Sequence, residues 1–301
     1  MSGFTSRNEL LASRLPRFTR ALHGVEKGSV NAIHRTRVAS RRLREVLPVL
    51  QLDSDVSSKL SKKLRKVTRR LGSVRELDVL LILIDQLRES GRHPSRALTL
   101  VKVNVAQARQ RMSAELTAKG MSEHLRRAAR KLGRVLDALQ SSEDTAAQAR
   151  AMRWAVDARI ARRAAALRTA IGEAGQVYLA ERLHAVRITM KKLRYGVELA
   201  AEAGGRQDQS DLRALKRGQE LLGRMHDLQV LIDRVRLVQG DLTPPNLVVW
   251  RELDTLVTVL EEGCRRLHGR YMRERPALVA LCDRLRTKTQ SAGALLDRRT
   301  G

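Results

Sequence analysis

Aromatic residues are almost absent from this 301-residue chain, since Phe, Trp and Tyr together make up 2% of it. Segments rich in β-branched or aromatic residues, which favour strands, are correspondingly few. Proteins that hold single-stranded nucleic acid stack its bases on aromatic side chains, and this sequence offers few of them. Leu, Ala, Val and Arg dominate instead, and this composition favours helices.

Cysteines and long apolar segments are also scarce. Cys264 and Cys282 lie far apart and form no Cys-x-x-Cys motif, which indicates unpaired thiols in a reducing compartment. No stretch reaches the ~18 continuous apolar residues of a membrane helix. The N-terminus has no apolar signal core. We therefore expect a cytoplasmic protein without a membrane partner.

Acidic residues are too few to balance the basic ones. Lys and Arg number 59 and Asp and Glu number 32, which gives a formal net charge of +27. Such an excess destabilises a compact chain by self-repulsion unless a polyanion screens it. Nucleic acid, anionic lipid, polyphosphate and acidic proteins are the candidate polyanions. Arg outnumbers Lys, and the planar guanidinium group suits phosphate oxygens.

Apolar residues recur at helical spacing through nearly the whole chain. The polar segment 141–149 lacks this periodicity and lies near the midpoint. The pattern predicts an all-α protein with an N-terminal helical bundle repeat at 1–145 and a C-terminal one at 146–301. Helix-breaking Gly, Ser, Asp and Pro residues, including Gly204-Gly205 and Pro244-Pro245, separate the predicted helices. These helices are predicted at about 6–24, 29–50, 55–71, 74–90, 94–118, 121–140, 149–173, 179–203, 208–222, 225–239, 246–268 and 274–296.

Two motifs recur in the same order in both halves. Residues 33–44, Ile-His-Arg-Thr-Arg-Val-Ala-Ser-Arg-Arg-Leu-Arg, match residues 183–194, Leu-His-Ala-Val-Arg-Ile-Thr-Met-Lys-Lys-Leu-Arg. Residues 71–80, which begin Leu-Gly-Ser-Val-Arg-Glu, match residues 222–231, which begin Leu-Gly-Arg-Met-His-Asp. Their common order and nearly equal offset indicate an internal duplication.

The first motif is a basic stripe on an amphipathic helix. Its charged side chains repeat every three or four residues, which stacks them about 5.4 Å apart opposite an apolar side. A single stripe of this kind is ordinarily a solvated surface, but two matching stripes, each led by a histidine, favour an anion site. The stripes are His34, Arg37, Arg41 and Arg44, with Arg42 at the edge, and His184, Arg187, Lys191 and Arg194, with Lys192 at the edge.

Further basic residues follow each stripe. On the next helix they are Lys62, Lys63, Lys66, Arg69 and Arg70 in the first half and Arg213, Lys216 and Arg217 in the second. The second motif adds Arg75 and His226. These two residues are either anion ligands or residues that cap or ion-pair the start of a helix, and the sequence favours neither reading.

The duplicated motifs resemble the CHAD domain, the conserved histidine α-helical domain, over nearly the whole chain. The resemblance implies two antiparallel four-helix-type bundles related by pseudo-twofold symmetry, with a basic groove or pore between them that binds inorganic polyphosphate. Some members associate with polyphosphate granules. Two departures are visible: Glu76 stands where the family more often has Asp, and His226 stands in place of Arg75.

Motifs of enzymes are missing. The sequence has no Gly-x-x-x-x-Gly-Lys-Ser/Thr loop, no Gly-x-Ser-x-Gly and no His-Glu-x-x-His, and none of its histidines shows zinc spacing. Beside the basic motifs, only Glu76, Asp78 and Asp227 are candidates for holding Mg²⁺. We therefore expect a non-enzymatic protein without a metal or cofactor.

The sequence thus predicts a polyphosphate-binding protein, with non-specific nucleic-acid binding as the alternative or as a side activity. Protonation of His34 and His184 is expected to tighten binding in mild acid. The predicted polyphosphate ligands are His34, Arg37, Arg41, Arg42, Arg44, Lys62, Lys63, Lys66, Arg69, Arg70, Arg75, His184, Arg187, Lys191, Lys192, Arg194, Arg213, Lys216, Arg217 and His226.

Overall fold

The computed structural model describes residues 5–118, 120–142, 145–204, 209–243 and 246–297, with the backbone alone from 288 onward. Within these ranges the chain is α-helical and contains no strand, which confirms the predicted all-α class. No helix in the described ranges combines the length and apolar character needed to cross a bilayer. Two of the predicted helix-breaking sites, Gly205 and Pro244-Pro245, lie outside the described residues. Residues 143–144 of the predicted boundary between the repeats lie outside them as well.

The helices follow one another with short connections. Those of the first half are α1 (Arg7–Ala12), α2 (Leu15–Arg20), α3 (Leu22–Glu26), α4 (Val30–Val46), α5 (Ser54–Glu89), α6 (Ser95–Ala118) and α7 (Met121–Gln140), with a 3₁₀ turn at Leu47–Val49 after α4. Those of the second half are α8 (Ala146–Ala174), α9 (Ala180–Glu202), α10 (Gln209–Gly240) and α11 (Leu247–Asp297).

Several predicted helix boundaries were wrong. The predicted breaks near residues 72, 223 and 270 lie inside the long helices α5, α10 and α11. At Gly72 the neighbours Leu71 and Val74 are both buried, so packing outweighs the ~1 kcal/mol by which glycine disfavours a helix. The predicted single helix at 6–24 is instead three short helices. Pro16 at the start of α2 lacks an N–H and does not continue α1, which accounts for the first of the two breaks.

The second half packs as a closed four-helix arrangement, in which α8 contacts α9 and α11, and α10 contacts the same two helices. In the first half α5 packs against α4, α6 and α7, and the short helices α1–α3 fill the space between α4 and α7. Buried apolar side chains from both halves form one contiguous cluster. The division into repeats at 1–145 and 146–301 and their pseudo-twofold relation stay predictions.

Contacts between the halves place the duplicated basic helices side by side. Helix α4 contacts α9, and α5 contacts α10. Two ion-pair groups reinforce this packing: the buried Arg14 binds Glu202 at the end of α9, and Glu45 of α4 binds Arg159 (3.4 Å) and Arg163 of α8. The basic sides of α4 and α9 are therefore held close to one another.

Candidate functional site

A cavity of about 520 Å³ lies between α4 and α5 of the first half and α9 and α10 of the second. Half of the predicted ligands line it, and they come from all four helices. Its arginines and lysines are Arg37, Arg41 and Arg44 of α4, Arg69 and Arg75 of α5, and Arg187, Lys191 and Lys192 of α9, and its histidines are His184 of α9 and His226 of α10.

The positive charge of the cavity is largely uncompensated. Three carboxylates, Glu45, Glu76 and Asp227, also line it. Glu45 is already bound to Arg159 and Arg163 of α8, and Glu76 Oε1 lies 3.8 Å from Nε2 of His226. Among the described residues, none of the arginines and lysines of the cavity forms an ion pair within 4.0 Å. The nearby charges of Asp227 and Glu76 offset the burial of Arg187 only in part, since its pKa is still lowered, and half-buried cations of this kind favour the arrival of an anion.

Burial and mutual repulsion lower the pKa values of these cations. Burial is the largest of the causes that together lower the pKa of Lys191 to about 7, and the nearby charges of Arg41, Arg187 and Arg37 contribute to the same shift. Burial, with the charges of Arg41 and Arg75, lowers the pKa of Arg37 to about 10. A group whose charged form is disfavoured in this way gains most from a bound anion.

The two histidines of the cavity form a pair. Their Nδ1 atoms lie 3.3 Å apart and their ring centroids 4.6 Å apart. Burial, followed by the charge of Arg187, lowers the pKa of His226 to about 4 and that of His184 below its usual value. Burial and Arg75 likewise lower the pKa of His34. All three are therefore neutral at pH 7, and Lys191 becomes the group that titrates near neutrality.

Gly72, which the sequence analysis did not place in the site, makes room for a key cation. A Cβ atom at this position would lie 2.6 Å from Nη1 of Arg37. At the matching Gly223 of the second half the nearest atom is Nε of Arg187, at 4.0 Å. The repeated Leu-Gly dipeptide was the signal for this feature, because glycine allows a close approach where any side chain would intrude.

A family model for the CHAD domain matches residues 9–236 of the chain, a span that includes every residue of the cavity. The chain belongs to the CHAD domain family. Helix α11 lies beyond the matched span. No curated protein matches the chain.

Two solved structures show the same CHAD fold. The crystal structure of the CHAD domain from the plant Ricinus communis has a TM-score of 0.55 and 22% identity, over 96% of this chain and 93% of that one. PptA from Streptomyces chartreusis has a TM-score of 0.63 and 19% identity, over 91% of this chain and 99% of that one. At these identities the likeness concerns the fold alone.

Several predicted ligands of the CHAD site lie elsewhere on α5. Lys62, Lys63 and Lys66 are exposed and do not line the cavity. A side-chain hydrogen bond with Lys131 of α7 lowers the pKa of Lys63, which places that lysine against another helix. Arg70 is half-buried and also stays outside the cavity.

The remaining predicted ligands are also outside the cavity. Arg194 binds Glu198, and its Nε donates a hydrogen bond to Oε1 of Gln219 at 2.7 Å. Arg217 lies 3.7 Å from Glu274. Arg213 and Lys216 are exposed on α10, and His34 and Arg42 line a second cavity on the other side of α4. Within the described residues, no group of three or more His, Cys, Asp or Glu side chains is arranged to hold a metal ion.

We predict that Lys191 of the free protein loses its proton near pH 7, as NMR of ¹³Cε-labelled lysine can measure. Replacing Arg41 with Gln should raise the pKa of Lys191, because Arg41 is its strongest repelling neighbour. Replacing the exposed Arg150 with Gln should leave it unchanged. Titration of Lys191 near the ordinary value of 10.5 would contradict the crowded environment described above.

Proposed function

We propose that this CHAD protein binds inorganic polyphosphate in the cavity between its two halves and carries out no reaction on it. The observation that carries the proposal is the convergence of eight arginines and lysines from both duplicated motifs on one space, without a carboxylate partner. The family resemblance supports it, because it implies a polyphosphate ligand. We further propose a cytoplasmic location, with polyphosphate granules as one site of action.

A chain of phosphates suits the cavity because every unit carries charge and none carries a base or sugar. In the proposed complex the chain lies between α4 and α9, where the guanidinium groups of Arg37, Arg41 and Arg187 donate charge-assisted hydrogen bonds to phosphate oxygens. In the neutral pair one histidine donates its only N–H to Nδ1 of the other, so His184 and His226 together leave one N–H donor for a phosphate oxygen. Binding also relieves the repulsion among the cations, so much of the affinity is electrostatic and depends strongly on salt.

Nucleic acid fits the cavity less well. The only aromatic ring outside the histidine pair that lines it is Tyr195, and Cζ of Arg194 lies 4.8 Å from the centre of that ring. Stacking of bases therefore has little support there. The exposed Lys62, Lys63 and Lys66 offer duplex phosphates an external surface instead. Non-specific nucleic-acid binding is accordingly proposed as a side activity of the outer surface.

A double variant tests the ligand and the cavity together. Arg37→Gln/Arg187→Gln should weaken binding of long-chain polyphosphate at least about a hundredfold, from two charge-assisted hydrogen bonds of about 1.5–3 kcal/mol each. It should also reduce, by about 1.4, the magnitude of the slope of log affinity against log salt concentration. The free variant should not melt at a lower temperature, because repulsion is relieved. Isothermal titration calorimetry and thermal melting measure these quantities.

Arg150→Gln/Arg251→Gln is the control, since it removes the same charge from exposed positions outside the cavity. Wild-type protein should prefer polyphosphate to duplex DNA at equal phosphate concentration and salt, and the recovered polyphosphate should keep its length in the presence of Mg²⁺. Tighter binding of DNA, or an unaffected double variant, would favour the nucleic-acid alternative. Shortening of the polymer would contradict a purely binding role.

The glycine of the second motif provides a test without any change of charge. Gly72→Ala should displace the guanidinium group of Arg37 and weaken polyphosphate binding about tenfold, the value of one charge-assisted hydrogen bond. Gly223→Ala should leave the affinity within about twofold, because its Cβ meets Nε of Arg187 only at 4.0 Å. Alanine favours a helix over glycine by about 0.5–1 kcal/mol, so neither variant should be less stable. Equal affinities in the two variants would refute the role of Gly72.

The pH dependence of binding should follow Lys191 and not the histidines. A bound anion raises the pKa of Lys191 above about 7, so the complex takes up a proton and its affinity falls as the pH rises through that value. The expected loss is roughly tenfold per pH unit above ~7. Lys191→Arg should abolish the dependence, and His184→Gln should preserve it. Loss of the pH dependence in His184→Gln but not in Lys191→Arg would instead support the sequence-based expectation that histidine protonation tightens binding.

A further inference from the structure

A second cavity, of about 420 Å³, lies on the other side of α4, against α2 and Ala21, the residue between α2 and α3. It is lined by Arg17, Arg20, Ala21, His34, Arg35, Val38, Ala39 and Arg42. Five of these eight residues are basic and none is acidic. Neither the duplicated motifs nor the cavity between the halves accounts for the two arginines of α2.

The arginines of the second cavity have no carboxylate partner among the described residues. Nε of Arg20 and Nε of Arg35 each donate a hydrogen bond to a carbonyl of their own helix, at 3.2 and 3.3 Å, which leaves the outer guanidinium nitrogens for a ligand. Nε of Arg42 is buried and has no hydrogen-bond partner in the described part of the chain. The cavity thus presents unused donors of one charge sign.

The apolar residues Ala21, Val38 and Ala39 form part of the same wall. A cleft that combines charges of one sign with walls of low dielectric constant concentrates the electric field and raises the local concentration of counter-ions. Polyphosphate oxygens bound at the arginine heads would therefore experience a stronger attraction than on an open basic surface.

His34 connects the two cavities along α4. It begins two rows of side chains one helical turn apart: His34, Arg37 and Arg41 lead along the first cavity, and His34, Val38 and Arg42 lead along the second. Its imidazole lines the second cavity, and its charge interactions reach Arg75 and Lys191 of the first. The charges of Arg37 and Arg41 act on His34 as well, so His34 lies where the positive field of the first cavity reaches the second.

We propose that the second cavity continues the polyanion path: a long polyphosphate held between the halves passes His34 and places further phosphates among Arg20, Arg35 and Arg42. The inference rests on the proposed function of the first cavity and extends it, because it predicts a preference for long chains and assigns that preference to this second segment. A short phosphate oligomer fills only the first cavity.

The test compares long-chain polyphosphate with tripolyphosphate by isothermal titration calorimetry at several salt concentrations. Arg20→Gln/Arg35→Gln removes two exposed guanidinium groups of the second cavity, and Arg150→Gln/Arg251→Gln is the control with the same change of charge and similar exposure. The first variant should bind the long chain about tenfold or more weakly than wild type. The slope of its log affinity against log salt concentration should be smaller in magnitude by about 1.4. Its affinity for tripolyphosphate should equal that of the control.

Long-chain affinity equal to that of the control would refute the second segment. An equal loss for both ligands would also refute it, because the arginines would then act on the first cavity. These outcomes are separate from failure of the proposed function, which would appear as weak polyphosphate binding by the wild type or as an unaffected Arg37→Gln/Arg187→Gln variant. Single Arg35→Gln provides the same comparison if the double variant folds poorly.

Discussion

Repulsion among half-buried cations is the constraint around which this molecule is organised. Arg37 and Arg41 of α4 face Arg187 and Lys191 of α9, and each lowers the stability of the charged form of another. The opposite sides of the same helices carry fully buried leucines such as Leu43 and Leu193, whose packing offsets the repulsion. The cavity is thereby formed before a ligand arrives, and the electrostatic cost is borne by the stability of the free protein.

Charge is unevenly distributed around the cavity. The α4 and α5 walls carry five arginines, whereas α10 contributes the neutral His226 and the carboxylate Asp227. The one lining carboxylate on α4, Glu45, is neutralised by Arg159 and Arg163 of α8 and serves to fix α4 in place. In the proposed complex the phosphates lie between the five arginines of α4 and α5 and the three cations of α9, and α10 forms the least positive wall.

Local periodicity accounts for the part of the predicted ligand set that lines the cavity. Spacings of three and four residues placed Arg37, Arg41 and Arg44 on one side of a helix, and the duplication indicated a partner helix with the same pattern. The sequence predicted Lys62 and Arg75 on two separate helices, and both are among the predicted ligands. They belong to one continuous helix and stand about 20 Å apart along it, so only the later residue reaches the cavity. Which stripe meets another helix is decided by tertiary packing, and a single sequence does not contain that information.

Lys191 occupies the position that Arg41 holds in the first copy of the basic motif, and this difference has a physical consequence. An arginine remains charged at any physiological pH, so a cavity built from arginine alone would keep its full repulsion when empty. Burial and the neighbouring cations together lower the pKa of Lys191 to about 7, so an empty cavity releases much of one charge at neutral pH. In the proposed complex the polyanion restores that proton and with it a further ligand. The lysine would therefore reduce the cost of the unoccupied state and preserve the charge of the occupied one, a role that its arginine counterpart in the first copy of the motif does not fill.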